Sequence, residues 1–201
     1  MPVLAIRVLG DPILRERTTP TDRITDELRT LVANMFETMY AAEGIGLAGP
    51  QVGRSDRVFV MDVDDNPLAM INPEILETDG SERAEEGCLS IPDIFGDVDR
   101  ATRIRVRATD VDGKQFETEL TGLAARCVLH ELDHLDGKLF IDYMSLIKRK
   151  FAARKWEKEV ANYPGFVRTL EPGKPGERRS RRSQSRAASA GGTGDVEEPE
   201  L

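Results

Sequence analysis

The stretch His130-Glu131-Leu132-Asp133-His134 constrains this chain most. In a helix, residues i and i+4 share a face and stand about 6 Å apart along the axis. Two imidazoles in that register can converge on one divalent ion, and the glutamate between them can address a water bound to it. The chain has only two histidines, and both are spent here. The rest of the sequence has to supply a helix for them, a third ligand and a shell that keeps the site ordered.

The helix is well signalled. Thr121-Gly122 opens it, Leu123, Ala124, Cys127, Val128, Leu129 and Leu132 give it apolar flanks, and Asp136-Gly137 ends it. Upstream, Asp11-Pro12-Ile13-Leu14-Arg15 reads as a short helical turn. Leu28, Leu31, Val32, Met35, Phe36 and Met39 follow helical spacing behind Thr25 as N-cap, with Gly44 as the expected stop. Arg57 to Val63 reads as a strand. A second strand runs from Ala69 to Leu76, with Asn72-Pro73 marking an edge or bulge. Thr102–Thr109 and Lys114–Leu120 alternate around Asp112-Gly113 as an antiparallel pair whose arginines face solvent. A last helix is expected from Ser145 through Val160, with Leu146, Phe151 and Trp156 among its apolar positions.

The 201 residues suggest one domain with an appendage. Residues 1–170 form the expected catalytic domain. Residues 171–201, rich in Arg, Ser and Gly and then acidic, cannot bury a core and are expected to be disordered. A net charge of −8 argues against general binding of DNA or other nucleic acid by the whole chain. No apolar run approaches the ~20 residues that cross a bilayer, and Met1 to Gly10 does not make a signal peptide. Two cysteines do not make a disulfide framework. A cytoplasmic protein with reduced thiols is expected, away from membranes.

Three protein ligands and one open position are usual for a catalytic metal. Cys127 shares the histidine face, but it lies seven residues from His134, about 10 Å along the axis. It is better read as a core residue. Cys88, between an acidic lead-in and Ser90-Ile91-Pro92, is the stronger candidate, with Glu85, Glu86, Asp136 and Asp142 as rivals. Glu131 is placed to take a proton from a water that the ion acidifies and to hand it to a leaving amine. The side-chain amide of Gln51 and the backbone N–H of Leu89 are available for an oxyanion. Gly44 to Gly53, with four glycines in ten residues, reads either as a plain loop or as one lying against a substrate and presenting Gln51.

Three blocks in order resemble the peptide deformylase family: Gly44-Ile45-Gly46-Leu47-Ala48-Gly49-Pro50-Gln51, Glu86-Gly87-Cys88-Leu89-Ser90 and the His130–His134 stretch. The resemblance spans roughly Val3 to Trp156. It implies an α+β fold, with antiparallel β-sheets around a central metal-bearing helix and a C-terminal helix. The implied reaction removes the formyl group from the N-terminal formylmethionine of nascent polypeptides. In that pattern Cys88, His130 and His134 hold the metal, commonly Fe2+ with Zn2+ or Ni2+ accepted. Glu131 is the acid/base, and Gln51 and the Leu89 amide stabilise the oxyanion. Ile45 and Gly46 line one side of the peptide, Glu86, Gly87 and Leu89 the other, and Leu123 and Cys127 contribute to the methionine pocket. Work on nascent chains implies a ribosome contact, through the last helix or the Arg-rich tail. The family block commonly carries a second alanine where this chain has Gly49, a change expected to loosen the backbone before Pro50-Gln51. The competing readings are a zinc endopeptidase, which normally takes its third ligand downstream of the second histidine, and a non-catalytic metal module, which normally closes its site with four protein ligands.

Overall fold

The computed structural model describes residues 2–170. In chain order, β1 (Ile6–Arg7) leads to a 3-10 turn at Pro12–Arg15, followed by α1 (Asp26–Ala41) and β2 (Gly46–Ala48). A 3-10 turn at Gly49–Val52 precedes β3 (Val58–Val63), β4 (Asn66–Asp79), β5 (Glu82–Cys88), β6 (Ile91–Arg100), β7 (Arg103–Thr109) and β8 (Gln115–Thr121). Then come α2 (Gly122–Leu135), a 3-10 turn at Phe140–Tyr143, α3 (Leu146–Glu159) and β9 (Val167–Arg168). The fold is α+β, and its sheets are antiparallel.

The central sheet has the order β2-β3-β4-β7-β8. Every residue of β3 is buried. Phe59 and Met61 join Ala125, Cys127, Val128 and Leu135 of α2 in one core cluster. Val58 and Val60 join Leu28, Leu31, Val32, Met35 and Met39 of α1 in another. A strand covered on both faces loses the apolar/polar alternation of a half-exposed one, so Val-Phe-Val-Met reads as a continuous apolar run. A third cluster unites Ile91, Ile94 and Val98 of β6 with Leu139, Phe140, Ile141 and Met144, and with Ala152 and Trp156 of α3. α2 thus lies between the main sheet and the β5–β6 ribbon, and the site forms where these meet.

Several expectations change here. α1 ends at Ala41, before Gly44, because Glu43 takes the left-handed position (φ 58°). The Glu43 and Gly44 amides then donate to Tyr40 O and Met39 O, which closes the helix end and leaves Gly44 for another purpose. The strand expected over Ala69–Leu76 runs the length of β4, and Asn72-Pro73 sits at its register shift. Asn72 holds the irregularity by accepting from Thr21 N (2.9 Å) and donating to Thr21 O (2.7 Å). Residues 82–100, which gave no strand signal, form the β5–β6 hairpin. Pro92 is a residue of β6 that falls inside the register break between the Cys88–Ile91 and Gly87–Phe95 pairs, where a missing N–H costs nothing. In α3, Trp156 is buried as expected, but Leu146 and Phe151 are 74% and 64% exposed. The expected tail lies outside the described residues.

Candidate metal centre

One helical turn of α2 presents the two imidazoles, with ring centroids 5.1 Å apart. Cys88 arrives from the last position of β5, just before the turn Leu89-Ser90. The ligand atoms of Cys88, His130 and His134 all lie within 4.8 Å of one another. Cys88 Sγ is 3.1 Å from His134 Nε2. Two imidazoles and a thiol at this spacing fit a single divalent ion with bonds of about 2.0–2.3 Å. Among the described residues this is the one such group of donors. Cys127 stands apart from it: its Sγ is buried and donates to Ile45 O at 3.5 Å.

The donors are held from behind. Glu86 accepts from His130 Nδ1 at 3.0 Å, which turns Nε2 of that ring toward the site, as carboxylate–histidine pairs do around metals. Phe140 stacks on the same ring. Glu86 also binds Arg100 through two contacts (2.9 and 3.0 Å) and Arg126 at 2.8 Å. Arg100 reaches on to Asp133 at 2.6 Å, and Tyr143 donates its hydroxyl to Asp133 at 2.7 Å. Burial opposes the Glu86 charge, but the hydrogen bonds from His130 and Arg100 outweigh it and hold this carboxyl at about 2. Burial likewise opposes a charge on His130, yet Cys88 and Glu86 raise its pKa well above the usual value. Burial and the nearby charges of His130 and Arg100 push His134 down. His134 therefore stays neutral and keeps an imidazole lone pair free, as a metal ligand requires.

Glu131 is buried, and its Oε2 has no partner within the protein. Burial pushes its carboxyl up to about 7, near the value an acid/base needs at neutral pH. Gly46 explains how the carboxylate fits. A Cβ at Gly46 would lie 2.2 Å from Glu131 Oε1 and 2.8 Å from Cys127 Sγ. A Cβ at Gly44 would lie 2.7 Å from Leu89 Cδ1. The glycine block is therefore spaced for close approach. Gly49 also sits at a close approach: a Cβ there would stand 2.8 Å from Asp56 O.

Gln51 is 1% exposed. Its Oε1 accepts from Ala48 N at 2.7 Å, and its Nε2 lies 3.6 Å from Cys88 Sγ. Leu89 is the first residue of a two-residue turn, so the strand ladder does not use its N–H. Leu123 is 54% exposed on the first turn of α2, and Ile45 is 37% exposed. Sequence reasoning missed Arg100, Arg126 and Tyr143. Arg100 had a signal: with Ile94, Gly96 and Val98 it continues the inward face of β6 at period two.

A Cys-His-His donor set with a buried, unpartnered glutamate on the same helix turn defines a metal-dependent hydrolase. The sequence model of the polypeptide deformylase family matches residues 3–150. A peptide deformylase of Alkalilimnicola ehrlichii is 53% identical over 164 residues, covering 80% of this chain and 92% of that one. The crystal structure of a Legionella pneumophila peptide deformylase superposes with a TM-score of 0.77 at 42% identity, covering 80% of this chain and 96% of that chain. A peptide deformylase of Ehrlichia chaffeensis, solved in complex with actinonin, gives 0.77 at 37% identity, over 79% and 98% of the two chains. The chain belongs to the polypeptide deformylase family. It is a metal-dependent hydrolase that removes the N-formyl group from nascent peptides.

Proposed function

We propose that the chain carries out deformylation with Cys88, His130 and His134 as the ligands of one divalent ion, Fe2+ in the working enzyme. When bound, that ion would supply Lewis acidity at this site. Glu131 takes the proton from the attacking water and returns it to the departing amine nitrogen, and burial raises its carboxyl above the usual carboxylate range, toward what both duties need. Gln51 Nε2 and the Leu89 N–H stabilise the negative charge that develops on the formyl oxygen. The observation that carries this reading is the convergence of three donor atoms beside the unpartnered Glu131 Oε2.

The peptide lies as an added strand along β2. That strand is an edge of the main sheet, and open edges accept extended chains. Ile45 and Gly46 flank it on one side, and Glu86, Gly87 and Leu89 on the other. The methionine side chain enters between Leu123 and Cys127. Burial and the charge of Glu131 hold the Cys127 thiol well above its usual pKa, so it stays neutral and serves as an apolar wall. The enzyme acts in the cytoplasm on chains leaving the ribosome. Its contact there is α3, where Lys150, Arg154 and Lys158 accompany the exposed Leu146, Ile147 and Phe151, or the Arg-rich segment after residue 170. No helix among the described residues is long and apolar enough to cross a membrane.

The test is an anaerobic assay of the purified protein on a formyl-Met peptide and on its unformylated counterpart. Formate release from the first, with the second left intact, is expected. Cleavage of internal bonds in both would contradict the reading.

A further inference from the structure

Ser90 closes the Glu86–Ser90 block and has no task so far, yet it is 0% exposed. A buried hydroxyl needs hydrogen-bond partners. Ser90 Oγ accepts from Gln51 Nε2 at 3.2 Å. At the other end of the same carboxamide, Gln51 Oε1 accepts from Ala48 N at 2.7 Å. A backbone N–H can be met only by the oxygen, so this contact fixes which way round the carboxamide lies. Nε2 then has two hydrogens to place. One goes to Ser90 Oγ, and the other donates to Cys88 Sγ at 3.6 Å, on the side where the metal donors converge. One contact alone would let the carboxamide plane swing; two points define it. Ser90 is itself anchored, because its carbonyl accepts from Leu9 N at 2.8 Å and Leu9 O accepts from Trp156 Nε1 at 2.9 Å.

We infer that Ser90 is a positioning residue for Gln51: its hydroxyl occupies one carboxamide N–H so that the other faces the formyl oxygen. This rests on the oxyanion role of Gln51 proposed above. A donor fixed before the reaction needs no reorganisation when the charge appears, and that is where such groups gain their effect.

The test is a double-mutant cycle on the metal-loaded protein, with Ser90→Ala, Gln51→Ala and the double variant compared with the parent. Alanine is smaller than serine, so the Leu89-Ser90 turn keeps its packing. Ser90→Ala should lower kcat by ~3- to 10-fold, the loss of one oriented hydrogen bond, with KM and bound metal unchanged. In the Gln51→Ala background the same change should alter kcat by less than about twofold, since Ser90 has nothing left to position. A second readout is hydrogen exchange of the Gln51 side-chain amide in zinc-loaded protein, which should be slow in the parent and faster in Ser90→Ala. An equal loss of kcat in both backgrounds, loss of metal, or unchanged amide exchange would overturn the inference. A Gln51→Ala protein with parental kcat would instead remove the oxyanion role itself.

Discussion

Cys88 and Cys127 are chemically identical, and their surroundings set them apart. Cys88 ends a strand and meets both imidazoles. Cys127 is enclosed by α2 and the glycine block, bonded to Ile45 O. Helix rise argues against Cys127 as a ligand, and its Sγ bonds Ile45 O away from the group of three donors. Cys88→Ala should therefore lose the metal and Cys127→Ala should keep it, as measured by metal content after anaerobic purification. The reverse pattern would unseat the ligand assignment. Other residue-level features were not legible in the sequence. Gly46 drew attention as a peptide contact, but its missing side chain also makes room for Glu131 Oε1, a requirement set by a residue 85 positions away in the chain.

At the scale of elements, α1, α2 and the β7–β8 pair could be read because each shows one apolar face. The arginines of β7 do line the outer face, paired with Glu77, Glu117 and Glu119. The β5–β6 ribbon could not be read. Its inward face includes Gly96 and Arg100, so the apolar signal breaks where the metal site begins. Arg100 ties this ribbon to α2 through Asp133, while its bonds to Glu86 join β6 to β5. Arg100→Met should leave Asp133 without its cationic partner and Glu86 with only Arg126 and His130, and destabilise the metal-free protein by about 3 kcal/mol in urea unfolding. A cost below ~1 kcal/mol would mean that the ribbon is held without it. A second link joins the 3-10 turns at Pro12–Arg15 and Phe140–Tyr143, where Arg15 donates twice to Asp142 and Leu139 N caps the same carboxylate. Burial opposes the Asp142 charge, but Arg15 and the Leu139 amide outweigh it and hold its pKa below the ordinary value. The native protein then binds fewer protons here than the unfolded chain. The contribution is complete above the ordinary Asp range and is lost as pH falls through the folded value. Asp142→Asn should cost about 1 kcal/mol at pH 7, and the gap between variant and parent in thermal unfolding should close at strongly acidic pH. A gap that stays constant with pH would contradict the assignment.

Among the described residues, 2–170, the three core clusters draw on buried positions from Val8 to Trp156, on either side of the metal centre in the chain. β1 and β9 pair near the two ends of that span, and Val8 N donates to Phe166 O at 2.9 Å. Such a closed unit should stand alone. Removal of residues 171–201 is expected to leave the melting temperature and the rate on a short formyl-Met peptide unchanged, while ribosome co-sedimentation reports whether that segment or α3 makes the contact. Loss of folding on truncation would show that the domain boundary is misplaced.

The central claim is that Cys88, His130 and His134 hold the ion while Glu131 moves the proton. Side-by-side measurement of bound metal and formate release in the parent and in Glu131→Gln tests it most directly. Parental metal content is expected in the variant, with a rate lower by at least about 10²-fold, the scale of general acid–base catalysis. Parental formate release by Glu131→Gln with its metal in place would contradict it.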